Sequence, residues 1–405
     1  MDQTLKDLLT AEADRQETTF TLIPSENYTS ASVREALSSV ATNKYSEGYP
    51  GRRYYNGNKF IDQIEDLARE RTKKVFKAQF ANVQPYSGSP ANLAVYFSLV
   101  QPGDTIMGIA LSHGGHLTHG ADVSLTGKWF KSIKIAVEED GTIDYAKVRA
   151  QALEAKPKLI IAGITAYPRE INYTELSKIA KEVGAYLVAD ISHTNGLVIA
   201  GLHKNPLAEG ADIITSTTHK LLRGPRGAII VTNNSELATK IDKAIMPGLQ
   251  GGPHNHQTAA IAVAMLEADK PTYKEYVQQV AKNAQEMAKV FVDAGITLVS
   301  GGTDNHLLLL DLRNLNISGK EAADLLEEAN IVVNANSIPN DPNPPLRPSG
   351  IRVGTPALTT RGLKEAETVM LAGWIVKLLK KEAVAADVKA EVLKLAKQFP
   401  IPSNF

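Results

Sequence analysis

A lysine follows four hydroxyl residues and a histidine in the stretch TSTTHKLLRGPRG, where Lys220 precedes a loop rich in glycine and proline. The apolar runs ADII and AIIV on either side place this lysine after a buried strand, and loops held by a rigid scaffold often carry chemistry. A lysine that attacks a carbonyl must first lose its proton, which burial or a neighbouring cation favours. His219, Arg223 and Arg226 could supply that charge. A surface lysine after a strand is the alternative interpretation.

A carboxylate ends the apolar run AYLVAD, in which Asp190 is the one charged residue. Burying a carboxylate is costly unless it is paired. The protonated nitrogen of a pyridine ring is one partner that would stabilise it. An ordinary strand-end or helix-capping aspartate has the same pattern, so both interpretations stay open here.

Three histidines, His113, His116 and His119, lie among glycines in HGGHLTHG. They could bind a metal, particularly with PHNH at 253–256, but no HExxH pattern or carboxylate cluster accompanies them, so we expect none. The glycines would let an imidazole lie flat against a cofactor ring. A loop histidine bonded to the backbone is the structural alternative.

Two glycine-containing segments could bind phosphate. In QPYSGSPAN (84–92), Ser87 and Gly88 precede a helical pattern, and the free N–H groups at a helix start attract anions. An ordinary helix cap has the same residues. The segment QGGP, with Gly251 and Gly252, could serve the same purpose.

Two further segments resemble ligand contacts. The segment NKYSEGYPGRRYYNGN (43–58) concentrates tyrosines, a glutamate and arginines, which suits a binding surface better than a core. A structural loop or a dimer contact would also fit. Arg352 lies between apolar residues in SGIRVGT, and a half-buried arginine needs an anion such as a substrate carboxylate. A structural salt bridge is the competing explanation.

The elements that must position these residues alternate between strand and helix. Strand-like runs cover 158–165, 185–193, 211–217 and 227–233, and the helical pattern at 172–184 has capping residues at its start and a glycine at its end. The alternation predicts an α/β fold with a mostly parallel sheet flanked by helices. Ligands bind such sheets beyond the carboxyl ends of the strands.

The last third predicts a smaller α+β domain. It combines a long helix near 271–294, the strands HLLLLDL and IVVNAN, a helix that starts at Ser318, a proline-rich loop at 339–348 and a final helical region. We therefore divide the chain into an N-terminal arm and dimer-contact segment (1–73), a large domain (74–270) and a small C-terminal domain (271–405).

Composition excludes several classes of protein. The 405 residues include 44 basic and 44 acidic ones, so no charge excess indicates a nucleic-acid partner. Cysteine is absent, which excludes disulfides and cysteine nucleophiles and suits a reducing compartment. The N-terminal segment does not have the pattern of a signal peptide, and no apolar run is long enough for a bilayer. We expect a soluble cytoplasmic protein without a membrane partner.

Six segments taken together resemble the serine hydroxymethyltransferase family of pyridoxal-phosphate enzymes. They occur in the family's order along nearly the whole chain: PSENYTS, NKYSEGYPGRRYYNGN, HGGHLTHG, STTHKLLRGPRG, PGLQGGP and SGIRVGT. The resemblance implies the pyridoxal-phosphate fold type I, in the class of aspartate aminotransferase. It also implies a homodimer with shared active sites, or a tetramer.

The resemblance assigns the cofactor site residue by residue. It implies that Lys220 forms an internal aldimine with pyridoxal 5'-phosphate, that Asp190 pairs with the pyridine nitrogen, and that His116 stacks on the ring. His193 is implied to lie near the phenolic oxygen. The other implied cofactor-binding residues are Ser87, Gly88, Thr165, Thr217, His219, and the pair Gly251 and Gly252 reaching across from the partner subunit.

The resemblance also assigns the substrate sites. It implies that Arg352, with Ser25 and His193, binds the amino-acid carboxylate. Glu47, Tyr45 and Tyr55 match residues that transfer protons and position the substrate, and the Tyr45 and Glu47 positions cross the dimer interface. The residues matching folate contacts are Leu111, Gly115 and Asn336.

The implied reaction is the reversible transfer of the hydroxymethyl carbon of serine to tetrahydrofolate, giving glycine and 5,10-methylenetetrahydrofolate. The loop NDPNPPLRPSG (340–350) departs from the family's usual SPFVTSG type close to Asn336. A threonine aldolase-like enzyme is the related alternative, and it would lack the Tyr45–Glu47 segment. A non-catalytic cofactor-binding scaffold and a metal hydrolase are alternatives from other classes.

Overall fold

A computed structural model describes residues 1–404 of the chain. Its α-helices are α1 (Gln3–Thr18), α2 (Ala31–Leu37), α3 (Lys59–Phe76), α4 (Gly88–Leu99), α5 (Leu125–Trp129), α6 (Tyr145–Ala155), α7 (Tyr173–Val183), α8 (Asn195–Ala200), α9 (Ser235–Lys243), α10 (Asn255–Ala268), α11 (Pro271–Asp293), α12 (Gly319–Glu328), α13 (Pro356–Thr360), α14 (Glu365–Leu379) and α15 (Ala385–Gln398). Within residues 1–404, no helix is both long enough and apolar enough to cross a membrane.

The strands form one large sheet and three smaller ones. They are β1 (Phe20–Thr21), β2 (Gly48–Tyr49), β3 (Arg52–Arg53), β4 (Phe80–Asn82), β5 (Thr105–Ile109), β6 (Lys131–Ile135), β7 (Leu159–Gly163), β8 (Tyr186–Asp190), β9 (Ile213–Thr217), β10 (Ala228–Thr232), β11 (Thr297–Leu298), β12 (Leu307–Asp311), β13 (Ile331–Val332), β14 (Asn334–Asn336) and β15 (Gly350–Gly354).

The large sheet has seven strands in the order β4-β10-β9-β8-β7-β5-β6. The five strands from β9 to β6 are parallel, whereas β10 is antiparallel to both β9 and β4. Both faces are buried: Ile160 belongs to the core on one face and its neighbour Ile161 to the core on the other. Burial of both faces explains why these strands are continuous apolar runs. The predicted α/β class with a mostly parallel sheet is confirmed.

Local capping chemistry sets the helix boundaries that the sequence predicted. The side chain of Asn172 accepts a hydrogen bond from the Glu175 N–H at the start of α7, and Gly184 ends that helix in the left-handed conformation. Ser318 and Glu321 form a reciprocal capping box at the start of α12. Each cap satisfies backbone groups that have no partner within the helix.

The C-terminal part contains a four-stranded antiparallel sheet in the order β11-β12-β15-β14. The predicted single strand IVVNAN is wrong in one respect, because it divides into two strands that pair differently. β13 pairs in parallel with β1, near the N-terminus, and β14 pairs with β15. A one-strand prediction from an apolar run does not reveal which partner each half will have.

Two apolar cores share helix α11. Its first half contributes Tyr276 and Val280 to the core beside the large sheet, and its second half contributes Met287 and Phe291 to the C-terminal core. Phe20 also lies in the C-terminal core. The boundaries at 73/74 and 270/271 therefore stay a prediction, and the second falls at the start of a helix that both cores use.

Candidate active site

Three neighbouring parallel strands bring their carboxyl ends to one edge of the large sheet. Asp190 ends β8 and Thr217 ends β9, while Thr165 follows β7. Helix α4 begins at the same edge, since a Cβ on Gly88 would lie only 2.7 Å from Cγ2 of Thr217. Glycine at position 88 is thus needed for the close approach of helix and strand. The sheet therefore brings Asp190, Thr217 and Thr165 to the edge at which such sheets bind ligands.

Lys220 lies at this edge as a buried amine. Burial, with Asp190 opposing it and the charges of Arg352 and Arg226 adding to it, lowers the pKa of Lys220 to about 8. The predicted contribution of His219 is wrong, because burial lowers the pKa of that imidazole to about 3 and leaves it neutral. The guanidinium of Arg223 stacks over the Tyr276 ring at 3.9 Å. A substantial fraction of Lys220 is therefore a neutral amine near pH 8.

The backbone of Lys220 is held by a residue distant in sequence. Nδ2 of Asn27 donates to the Lys220 carbonyl at 3.1 Å and to the Tyr276 hydroxyl at 2.8 Å. Oδ1 of Asn27 accepts a hydrogen bond from Thr360 at 2.7 Å. All polar atoms of this side chain are engaged, so Asn27 ties the lysine loop to α11 and α13.

Asp190 is a fully hydrogen-bonded carboxylate. Oδ1 accepts from the N–H and hydroxyl of Ser192 at 3.1 and 2.6 Å. Oδ2 accepts from Asn92 at 2.8 Å and lies 3.2 Å from Nε2 of His119. Burial alone would raise its pKa, but the His119 hydrogen bond, the nearby imidazoles and Ser192 hold the pKa of Asp190 well below its usual range. The group is an anion at the end of β8 under all physiological conditions.

The hydrogen bonds of His119 orient its ring. Its Nδ1 accepts from the His116 N–H at 3.2 Å, so the ring proton must lie on Nε2, which donates to Asp190. His116 is neutral, because burial lowers its pKa to about 4. Its Nδ1 accepts from the Thr118 N–H at 3.2 Å.

A metal site would need these same atoms. Ligand atoms of His116, His119 and Asp190 lie within 4.8 Å of one another. In this structure, however, their lone pairs already accept the hydrogen bonds described above. A metal would have to break several of these bonds, so the expectation of no metal stays our prediction.

Arg352 is a half-buried cation without a carboxylate partner among residues 1–404. Its Nε donates to Oδ1 of Asn334 at 3.1 Å, and its Nη1 donates to the backbone carbonyl of Thr165. No ion pair to this guanidinium exists among residues 1–404, so the structural salt bridge considered from sequence is not found there. Burial lowers the pKa of Arg352 to about 10. An external anion would relieve the cost of this unpaired charge.

The histidine loop is joined to the arginine through Thr165. The N–H of Thr165 donates to the Gly114 carbonyl at 2.7 Å, and its hydroxyl donates to the Gly115 carbonyl at 2.8 Å. Gly114 has a φ of +89°, and a Cβ there would lie 2.8 Å from the Tyr167 nitrogen. The loop can follow this path only with glycine at position 114.

Glu47, Tyr45, Tyr55 and the pair Gly251–Gly252 form a second group, which we call the Glu47 cluster. The rings of Tyr45 and Tyr55 meet edge to face at 5.3 Å. A Cβ on Gly252 would lie 2.9 Å from the Tyr45 ring, and one on Gly251 would lie 3.2 Å from Oε1 of Glu47. Tyr45 and Tyr55 are 56% and 48% exposed. No hydrogen bond or ring contact within the described residues joins this cluster to Lys220.

The remaining predicted residues lie around the residues near Lys220 and Arg352. Leu111, in a short 3-10 turn, is exposed, whereas Gly115 lies against the Ile109 carbonyl. Asn336 pairs with Gly350 in the sheet that carries Arg352. Ser25 follows a segment whose Leu22 carbonyl accepts from the Gly354 N–H at 2.7 Å, so it lies near the end of β15.

The combined features fit pyridoxal phosphate. A buried amine with a lowered pKa can bind an aldehyde, and a fixed buried anion can pair with a protonated ring nitrogen. The hydroxyl of Ser87 caps nothing at the start of α4, and Nδ1 of His219 is buried without a partner among residues 1–404. These free polar groups and the helix N-terminus suit a phosphate.

Comparison with known proteins agrees with this geometry. Residues 1–375 match the family model described as serine hydroxymethyltransferase. The chain belongs to the serine hydroxymethyltransferase family. It is 52% identical over 404 residues to the serine hydroxymethyltransferase of Desulfotalea psychrophila, covering 99% of this chain and 95% of the relative. It is 53% identical over 411 residues to that of Acidothermus cellulolyticus (99% and 96%) and 51% identical over 407 residues to serine hydroxymethyltransferase 2 of Pseudomonas putida (100% and 97%).

Membership in the serine hydroxymethyltransferase family confirms the predicted enzyme class, a pyridoxal-phosphate-dependent transferase. Sequence reasoning missed three residues of the site in this family member. Asn27 lies in the segment PSENYTS and had no assigned role, whereas His119 in HGGHLTHG was considered only as a metal ligand. Asn92, four residues into α4, carried no signal, because an asparagine in a helix is ordinary.

Proposed function

We propose that this chain catalyses the reversible transfer of the hydroxymethyl carbon of serine to tetrahydrofolate, giving glycine and 5,10-methylenetetrahydrofolate. The names of the relatives and the arrangement of buried charges support this reaction. We also propose that it acts in the cytoplasm. Lys220 is the residue that would hold the cofactor, through Nζ.

The chain's own residues would bind and orient the cofactor. When bound, pyridoxal phosphate supplies an aldehyde for the amino acid and a ring that accepts electrons from its α-carbon. Asp190 would keep a proton on the ring nitrogen, because its charge is stabilised by His119, Asn92 and Ser192. Neutral His116 can pack against the ring without adding positive charge.

Arg352 would bind the carboxylate of serine. Its guanidinium already donates to Asn334 and Thr165, which fix its orientation, and its remaining donors can bind a carboxylate. Ser25 and His193 complete this binding site in our proposal. The binding is favourable because the substrate supplies the negative charge that residues 1–404 do not provide.

The Glu47 cluster would act on a second protomer's Lys220 site. Its residues contact one another on one face, and its tyrosines are about half exposed. In the proposed homodimer, Glu47 moves the proton on the hydroxymethyl oxygen or on the folate. Tyr45 and Tyr55 position the substrate, and Leu111, Gly115 and Asn336 contact the folate. The presence of this cluster favours the folate-dependent reaction over a threonine aldolase-like one.

The single observation that carries the proposal is the buried amine of Lys220, with a pKa of about 8, beside the fixed anion Asp190. Borohydride reduction of the yellow holoprotein should attach the cofactor permanently to the peptide that contains residue 220. Lys220→Ala should be colourless and inactive, whereas Lys181→Ala, an exposed lysine on α7, should behave like the wild type. Label on another residue, or none, would refute the assignment.

Dependence on tetrahydrofolate separates the two related reactions. We expect serine cleavage by the holoprotein to require added tetrahydrofolate and to yield glycine in equal amount. Cleavage at an unchanged rate without tetrahydrofolate would favour the aldolase-like alternative.

A further inference from the structure

His306 contacts His193 in the interior of the protein. His306 has no role in the proposed function. Nδ1 of His193 lies 3.2 Å from Nε2 of His306, and the two rings stack with centroids 5.4 Å apart. The residues are 1% and 0% exposed. His193 follows β8, and His306 directly precedes β12 in the other sheet, so this contact joins the two parts of the fold.

Both imidazoles are neutral. Burial lowers the pKa of His193 well below its usual value, and the charges of Lys220 and Arg352 lower it further. Burial likewise lowers the pKa of His306 to about 3, with Arg352 adding to the effect. A hydrogen bond between two neutral imidazoles contains one proton, so the tautomer of one ring determines that of the other.

The backbone around His306 is firmly held. The Thr355 N–H donates to the His306 carbonyl at 3.1 Å. Oδ1 of Asn305 accepts from the Leu307 N–H at 3.0 Å, and its Nδ2 donates to the Tyr167 carbonyl at 3.2 Å. His306 is therefore a rigid support, whereas His193 lies on a loop at the carboxyl edge of the sheet.

We propose that His306 is a positioning residue that holds the His193 ring in one orientation and one tautomer, which leaves Nε2 of His193 as the ring nitrogen available to the substrate. No residue among 1–404 hydrogen-bonds to that Nε2. The consequence for serine binding rests on the proposed function, in which His193 contacts the substrate. The consequence for the tautomer of His193 does not depend on the proposed function.

The test compares three variants of the holoprotein with ¹⁵N-labelled histidines. His306→Leu removes the bond, whereas His306→Gln keeps an amide that can donate or accept where Nε2 lies. His203→Leu is the matched control, because this buried histidine bonds the neighbouring Asp304 carbonyl at 2.9 Å and has no hydrogen bond with His193. We measure the ¹⁵N shifts of the His193 ring and the KM for serine.

We expect one protonated and one unprotonated nitrogen for His193 in the wild type, and exchange-averaged shifts in His306→Leu. The KM for serine should rise about three- to tenfold in His306→Leu, which matches the loss of one neutral hydrogen bond. His306→Gln should restore most of that loss, and His203→Leu should leave the KM unchanged.

Averaged His193 shifts in the wild type would overturn the proposal, even if His306→Leu failed to fold. Equal KM changes in His306→Leu and His203→Leu would also overturn it, because they would indicate general disruption near residues 304–306. Failure of the proposed function is distinguishable, since serine would then have no effect in any form of the protein while the wild-type tautomer could still be measured.

Discussion

At the scale of single residues, the site consists of buried groups whose charges the protein does not balance locally. Lys220 loses its proton near pH 8, Asp190 stays an anion, and Arg352 has no carboxylate partner among residues 1–404. Unpaired or shifted charges in a cleft are costly for folding and are typical of functional sites. Each of the three therefore leads to a separate prediction.

Capture of pyridoxal phosphate by the apoprotein should depend on pH through Lys220. Its pKa of about 8 lies below the ordinary lysine value of 10.5, so the reactive neutral amine increases as the pH rises from 7 to 9 and then levels off. The Asp190 charge raises this pKa, so Asp190→Asn should move the profile to lower pH. Stopped-flow absorbance measures the rate, and a profile still rising beyond pH 10 would contradict the lowered pKa.

Asp190→Asn should reduce hydroxymethyl transfer by about a hundredfold or more, since it removes the charge that stabilises a protonated ring nitrogen. The control is Asp212→Asn, because Asp212 also accepts a backbone hydrogen bond, from Leu187 at 2.8 Å, but lies at the other end of the sheet strands. Steady-state kcat is the measurement. Unchanged turnover in Asp190→Asn would show that the ring nitrogen does not need this anion.

Arg352→Met should weaken serine binding by about 2–5 kcal/mol, the range for losing one partner of a buried charge pair. It should leave the free energy of unfolding nearly unchanged, because the lost hydrogen bonds to Asn334 and Thr165 are offset by the removal of a cation that has no anionic partner in the described chain. Arg169→Met is the contrasting control, since Arg169 pairs with Asp304 at 2.8 Å. Serine titration and urea unfolding measure the two effects, and intact serine affinity would refute the carboxylate assignment.

At the scale of elements, Arg361 joins the two ends of the chain. Its guanidinium donates to the carbonyl of Glu17, within α1, and to that of Thr19, just after α1. It also donates to the carbonyls of Ala396 and Phe399, near the end of α15. A buried cation suits these positions, because the carboxyl ends of helices carry partial negative charge. α1 itself has no buried residue, so this contact is a main attachment of the helix.

Arg361→Ala should lower the free energy of unfolding by about 3 kcal/mol or more, because it leaves several buried carbonyls without donors. Urea unfolding measures the loss, and limited proteolysis should cut the α1 segment first. Arg361→Lys should be nearly as destabilising, since one ammonium cannot replace the planar fork of donors. A wild-type unfolding curve for Arg361→Ala would contradict this assignment.

At the scale of the whole molecule, the predicted site residues fall into two groups within one chain. One group surrounds Lys220 and Arg352, and the other is the Glu47 cluster with its exposed tyrosines. A twofold dimer would let each protomer supply one group to its partner's site. The two-group arrangement is the structural reason for proposing a homodimer with shared active sites.

Hybrid dimers test this sharing of sites. Lys220→Ala and Glu47→Gln should each be inactive alone. A purified hybrid of one protomer of each has one intact site, so it should regain about half of the wild-type activity per dimer. A hybrid without activity would show that Glu47 acts within its own chain. Gel filtration of each variant checks that all of them assemble alike.

The sequence by itself determined the fold class and the helix caps, because these depend on local patterns: apolar runs of strand length and capping residues. The roles of the site residues, such as those in STTHK, came from the resemblance to the family and stay predictions. The tertiary structure decided which distant residues contact the residues of the site. His119 meets Asp190 from 71 positions away, and Asn27 meets Lys220 from 193 away. It also decided that Arg352 lacks an ion-pair partner within residues 1–404 and that IVVNAN splits between two sheets. Local pattern does not specify which distant elements become neighbours, and partners, burial and pKa all follow from those neighbours.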